Sequence, residues 1–156
     1  MSIRQVAAIL CCTIAVAGIN AQAAPKRALP KTNFTLVEAY KTKAKPANAQ
    51  ALPLTGEHFI IKWMADTYPA TFYWRGQGGF LMCNISKAHK KGKTYTTETV
   101  PFDAIHKGDT LEIVPFSRGK VRIPDEIPQN AKNTLFYRVN GNDTWMLFPV
   151  KSITKK

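Results

Sequence analysis

Residues 58–86 read HFIIKWMADTYPATFYWRGQGGFLMCNIS. Three short runs in this stretch alternate large apolar side chains with smaller or polar ones. In the first, Phe59, Ile61 and Trp63 face one way and His58, Ile60, Lys62 and Met64 the other, the period of two that marks a β-strand. Apolar residues on both sides of this run suit a central strand covered on two faces. Thr67-Tyr68-Pro69 interrupts the pattern. Thr71 to Arg75 resumes it, with Phe72 and Trp74 on one face and Tyr73 on the other. Gly76-Gln77-Gly78-Gly79 supplies residues that tolerate positive φ, so Phe80 to Ser86 is expected to return as the second arm of a hairpin. Within that arm Cys83 shares a face with Leu81 and Ile85 and reads as a small buried hydrophobe.

Working outward, Phe34 to Lys41 (FTLVEAYK) reads as a first strand, with Phe34, Leu36 and Glu38 on one face and Thr35, Val37 and Ala39 on the other. Thr42 to Gly56 holds two prolines and no period, and reads as a long loop. Lys87 to Lys93 (KAHKKGK) reads as a basic loop tip. It leads into a threonine-rich edge strand over Tyr95 to Val100, which Pro101 ends. Phe102 to Lys107 suits a short helical turn. Asp109 to Phe116 suits a strand with Leu111 and Ile113 facing inward. Ile123-Pro124 and Ile127-Pro128 impose extended backbone and exclude a helix across Ser117 to Lys132. Asn140-Gly141 sits between the alternating runs Thr134 to Val139 and Thr144 to Val150, a strong hairpin signal.

About eight strand-like runs, with turn signals every 8 to 12 residues and no long helix, predict an all-β fold. The expected form is a single antiparallel β-sandwich, immunoglobulin-like, of about seven to eight strands, with a small closed β-barrel as the alternative. Residues 58–156 form the expected core, preceded by a linker and first strand over 24–57.

Residues 1–23 read as a secretory signal peptide. Arg4 gives the positive start, Val6 to Ile19 the apolar run, and Ala21-Gln22-Ala23 the small-residue cleavage pattern. Cys11 and Cys12 lack the small preceding residues of a lipid-modified cysteine and belong to the apolar run. The chain is therefore expected to be exported, to the periplasm or outside the cell. Cleavage leaves Cys83 as the lone thiol, so an intramolecular disulfide is excluded and the core must hold the domain.

The formal net charge is +12, and cleavage would remove one basic residue and no acidic one. Such an excess attracts anionic partners. Two basic stretches stand out: Lys87, His89, Lys90, Lys91 and Lys93 with Tyr95 beside them, and Arg118, Lys120 and Arg122 further on. Cations interleaved with aromatic rings suit sugars or anionic chains. If the two loops shared one end of the fold they would form a single positive patch.

The Phe72-Tyr73-Trp74 strand with its glycine hairpin, the Lys107-Gly108-Asp109-Thr110-Leu111 turn into a strand, and the signal peptide together resemble small exported bacterial immunoglobulin-like β-sandwich proteins. The resemblance covers roughly residues 59–153. It is one of architecture and implies no catalytic or binding residues.

Enzyme chemistry finds little support. His58, His89 and His106 share no ligand spacing with one another or with Cys83, and read as surface histidines at loop ends. No CxxC or HExxH is present, and no G-x-S-x-G surrounds Ser86, Ser117 or Ser152. The expectation is a non-enzymatic binding module without cofactor or metal. Its partner would be an anionic polysaccharide or an envelope protein rather than a nucleic acid. The alternative is an assembly subunit pairing through its edge strand.

Overall fold

The structure is a computed structural model that describes residues 32–43, 56–77, 79–116 and 122–156. The expected signal peptide, the linker up to Lys31, most of the 42–56 loop, and Arg118 and Lys120 lie outside the described residues. The described chain is all-β, with nine strands and one 3-10 turn at Phe102–Ala104. The strands are β1 (Phe34–Lys41), β2 (Glu57–Trp63), β3 (Pro69–Gly76), β4 (Gly79–Lys91), β5 (Thr94–Glu98), β6 (Thr110–Phe116), β7 (Thr134–Val139), β8 (Met146–Pro149) and β9 (Thr154–Lys155).

All nine belong to one sheet in the order β8-β7-β3-β4-β6-β2-β1-β9, with β5 on β4. Every pairing is antiparallel except β1 with β9, which makes the sheet mixed. Seven strand spacings of about 4.8 Å would hold β8 and β9 roughly 34 Å apart in a flat sheet. Yet Val150–Ile153 joins β8 to β9, and that connection reaches only ~18 Å when fully extended. The sheet must curl. It forms a half-barrel, and Phe34 of β1 meets Phe72, Tyr137 and Phe148 of β3, β7 and β8 across the interior, with ring centroids 5.8, 5.0 and 4.8 Å away.

The alternation read in the sequence sets the core. Phe59, Ile61, Trp63, Phe72, Trp74, Cys83, Ile85, Leu111 and Ile113 all point inward and are buried in one cluster. Tyr137 closes it toward β1, since its hydroxyl donates to Asn33 Oδ1 at 3.2 Å and accepts from Asn33 N at 3.1 Å. A smaller cluster, Phe80, Phe136 and Ile127, covers part of the outer face, with Tyr73, Ile123, Ala131 and Trp145 packed on it. Pro124 O and Pro128 O accept from Ile127 N and Ala131 N at 3.0 and 3.2 Å. These two tight turns lay the 122–132 segment over β4 and β7 without a helix.

Two strand expectations change. In β1 a bulge between Leu36 and Glu38 admits one extra residue. Val37 stays on the exposed side with Thr35, as expected, but after it Ala39 turns inward and Glu38 and Tyr40 take the outer face; a bulge of this kind reverses the alternation beyond it. The second change is at Lys87–Lys93, expected as a loop tip. Lys87 to Lys91 continue β4 and pair residue for residue with Glu98 to Thr94 of β5. Only Gly92 and Lys93 make the turn, and Gly92 takes φ 62, a conformation that costs glycine little.

Candidate functional site: a cationic hairpin arm and its surroundings

The β4–β5 hairpin carries most of the basic residues singled out in the sequence. Strand alternation sorts them. Lys87, His89 and Lys91 share one face and Lys90 the other, beside its cross-strand partner Tyr95. Lys87 is partly covered and its Nζ lies 2.9 Å from Asp109 Oδ2. Burial alone would push the Asp109 carboxyl up, but the N–H of His106 and the Lys87 ammonium together hold it below its ordinary value. His89 Nε2 faces Glu98 Oε2 at 3.6 Å. Lys90, Lys91 and Lys93 are exposed and have no carboxylate partner among the described residues. Two of these cations, Lys90 and Lys91, thus stand on a paired strand and Lys93 in the turn that follows it, with Tyr95 half-buried opposite Lys90.

Arg122 does not join them. It is exposed, pairs with Asp125 at 3.8 Å, and precedes Ile123, which packs beside Phe80 at the far end of β4. Strand β6 likewise ends at Phe116 opposite Met82, while the hairpin turn follows Lys91. Strand β6 therefore ends at the end of the sheet away from the hairpin tip, and Arg118 and Lys120 lie outside the described residues.

The hairpin also leaves an opening in the sheet. Along one edge of β4, Gly79 to Met82 pair with β3 and Lys87 to Lys91 with β5, while β6 takes the other edge. Between the two partners Cys83–Ser86 face Ala70 and Thr71 across a cavity of about 470 Å³, with Val100 and Phe102 also lining it. Cys83 is buried, and burial pushes its thiol well above the ordinary value. The sulfur is therefore held as the unreactive thiol rather than the thiolate a nucleophile needs.

On the outer face the β1 bulge assembles a cluster that sequence spacing did not reveal. Tyr40 stacks on His58 with ring centroids 4.8 Å apart. Glu112 Oε1 lies 2.8 Å from His58 Nδ1 and accepts from the Tyr40 hydroxyl at 3.3 Å. The Lys156 ammonium sits 4.0 Å over the Tyr40 ring and pairs with Glu38. Burial first, then the Glu112 charge, pushes the Tyr40 phenol up to about 12. Thr42 Oγ1 lies 3.4 Å from His58 Nε2. Hydroxyl, imidazole and carboxylate are the residue types of a nucleophile relay, here with the hydroxyl slightly longer than the roughly 2.6–3.2 Å of a tight catalytic hydrogen bond, as is common without substrate. The cluster clamps β1, β2 and β6 together. His58 and His89 thus sit within strands, not at loop ends, because β2 begins at Glu57 and β4 runs on to Lys91. No group of three or more His, Cys, Asp or Glu among the described residues is placed to hold a metal ion.

Fold and surface together define a class: an all-β protein of one curled mixed sheet with a protruding cationic hairpin. No protein family, curated protein or solved structure matches the chain.

Proposed function

We propose that the protein is an exported, non-enzymatic binding module that holds an anionic polysaccharide or an anionic envelope partner through the β4–β5 hairpin. The observation that carries this reading is the set of three exposed lysines, unpaired among the described residues, with Lys90 and Lys91 fixed on a two-stranded ladder and Lys93 in its tight turn. A ladder positions charge at little entropic cost on binding, whereas a flexible loop must be ordered first. Tyr95 supplies an apolar surface against which a sugar ring can rest. The single continuous ladder and the short Val150–Ile153 connection support the barrel alternative as the scaffold over an immunoglobulin-like sandwich.

The test is retention on an immobilised anionic polysaccharide. The native protein elutes at higher salt than the triple variant Lys90→Gln/Lys91→Gln/Lys93→Gln, because neutralised lysines no longer displace counterions. Elution of both at the same salt would remove the hairpin from the reading.

A second reading, an assembly subunit, has its own observation. Among the described residues β5 pairs with β4 alone, which leaves one edge of Thr94–Glu98 open to another strand. Sedimentation over a range of concentrations should then show self-association that Thr97→Pro abolishes, and self-association that survives Thr97→Pro counts against it.

A further inference from the structure

The end of the half-barrel opposite the hairpin tip gathers several features that neither reading uses. There β1 ends at Lys41, β2 begins at Glu57, β3 turns into β4 at Gln77, and the Val150–Ile153 connection crosses the open side. Two cavities of about 410 Å³ each open at this end and share Gln77 and Asn133 in their linings. Each falls within the roughly 300–1,000 Å³ of small-molecule sites.

The charge there is lopsided. Arg75 and Lys132 line the first cavity, and Lys41, Lys151 and Lys155 the second, against Glu57 as the one acidic residue in either described lining. None of these five cations has a carboxylate partner among the described residues. Clefts lined by one sign of charge concentrate ligands of the other sign.

Two further observations fall on the same spot. Asn133 is the non-glycine residue at positive φ among the described residues, at φ 47. Its carbonyl accepts from Val150 N at 2.8 Å, which holds it in place. Such conformations are costly and cluster at ligand sites. Beneath the first cavity, the buried Trp74 Nε1 has no hydrogen-bond partner. It lies against Gly76, a lining residue, so closely that a Cβ there would sit 2.3 Å from the nitrogen. Buried indole N–H groups are nearly always satisfied. The described linings include no aromatic side chain on which a base could stack, which disfavours a nucleic-acid ligand. They do include the amides of Gln77 and Asn133 and the hydroxyl of Ser152, groups that hydrogen-bond to sugar hydroxyls.

We propose that this end of the half-barrel is a binding site for an acidic saccharide, whose carboxylate, sulfate or phosphate meets the rim cations while its hydroxyls meet Gln77, Asn133 and Ser152. The site lies at the other end of the sheet from the hairpin and stands whether or not the hairpin binds. The test is titration calorimetry of the full chain, with tryptophan fluorescence recorded in parallel because Trp74 abuts the cavity lining. The probes are trigalacturonate, a sulfated disaccharide, mannose 6-phosphate, neutral maltotriose and inorganic phosphate. At least one acidic sugar should bind tenfold or more tighter than both maltotriose and inorganic phosphate, and the three acidic probes identify which oxyanion is preferred. Lys132→Gln/Lys151→Gln should weaken that binding about tenfold. Asn133→Gly, which keeps the positive φ and deletes the amide, should weaken it as well. Measured in the Lys90→Gln/Lys91→Gln/Lys93→Gln background, which removes any contribution of the hairpin, the tenfold loss on Lys132→Gln/Lys151→Gln should persist. Equal affinity for the neutral sugar or for inorganic phosphate, no detectable binding of any acidic probe, or an affinity indifferent to Lys132→Gln/Lys151→Gln would overturn the proposal.

Discussion

Tyr40 and Gly76 show how single residues are constrained by neighbours distant in sequence. Tyr40 stacks on His58 and donates to Glu112, and its burial and that negative charge raise the phenol to about 12. An ordinary unfolded tyrosine titrates near 10. A folded pKa above the unfolded one gives stability that is whole below pH ~10 and lost as pH rises toward 12. Ultraviolet titration should therefore reveal a tyrosinate that forms late, accompanied by loss of stability in that window. Glu112→Gln should bring the Tyr40 transition down, because the charge opposing ionisation is gone; an unmoved transition would refute the assignment. At Gly76 the constraint is steric, since a β-carbon would meet the Trp74 indole at 2.3 Å. Gly76→Ala should cost about 1–3 kcal/mol in denaturant unfolding, the usual penalty of overpacking. A neutral effect would mean that Trp74 is free to shift.

At the scale of elements, alternation was legible wherever a strand follows it strictly. The inward sets of β2, β3, β4 and β6 agree with the faces read from the sequence, because a period of two admits only one assignment of faces once the apolar residues are large. The hairpin at Gly76–Gly79 and the antiparallel return of β8 onto β7 were legible for the same local reason. Strand β1 was legible only up to Val37, because a bulge leaves no mark in composition and the faces of Glu38 and Ala39 exchange beyond it. The Tyr40–His58–Glu112 cluster was hidden with it, as its members are brought together by the register of three strands rather than by spacing. Lys87 to Lys91 failed differently. A run of lysines has low strand propensity, and the pairing with β5 overrides it. That override turns the basic residues from a loop into an arm, and it is why Lys90 and Lys91 point to opposite faces. Arg122 parted from the group because β6 runs back along β4 and delivers the chain to the other end of the sheet.

At the scale of the whole molecule, the curl of the sheet depends on its edges being drawn together. Val150 is buried in the main core on the short link from β8 to β9, and β9 completes the circuit by pairing in parallel with Tyr40 and Lys41. Val150→Ala should destabilise the fold by about 1.5–3 kcal/mol, well beyond the effect of truncating exposed Val37 on β1. Equal effects at the two positions would mean that the link is peripheral. A cationic arm extends from one end of the half-barrel, and basic cavities open at the other.

The most direct measurement is equilibrium binding of an anionic oligosaccharide to the native protein and to Lys90→Gln/Lys91→Gln/Lys93→Gln at several salt concentrations. Each cation engaged with a flexible polyanion adds about 0.7 to the slope of log affinity against log salt. If the hairpin is the binding surface, the variant binds more weakly at low salt and its slope is shallower by about two. Identical slopes for the two proteins would contradict a role for the hairpin in binding.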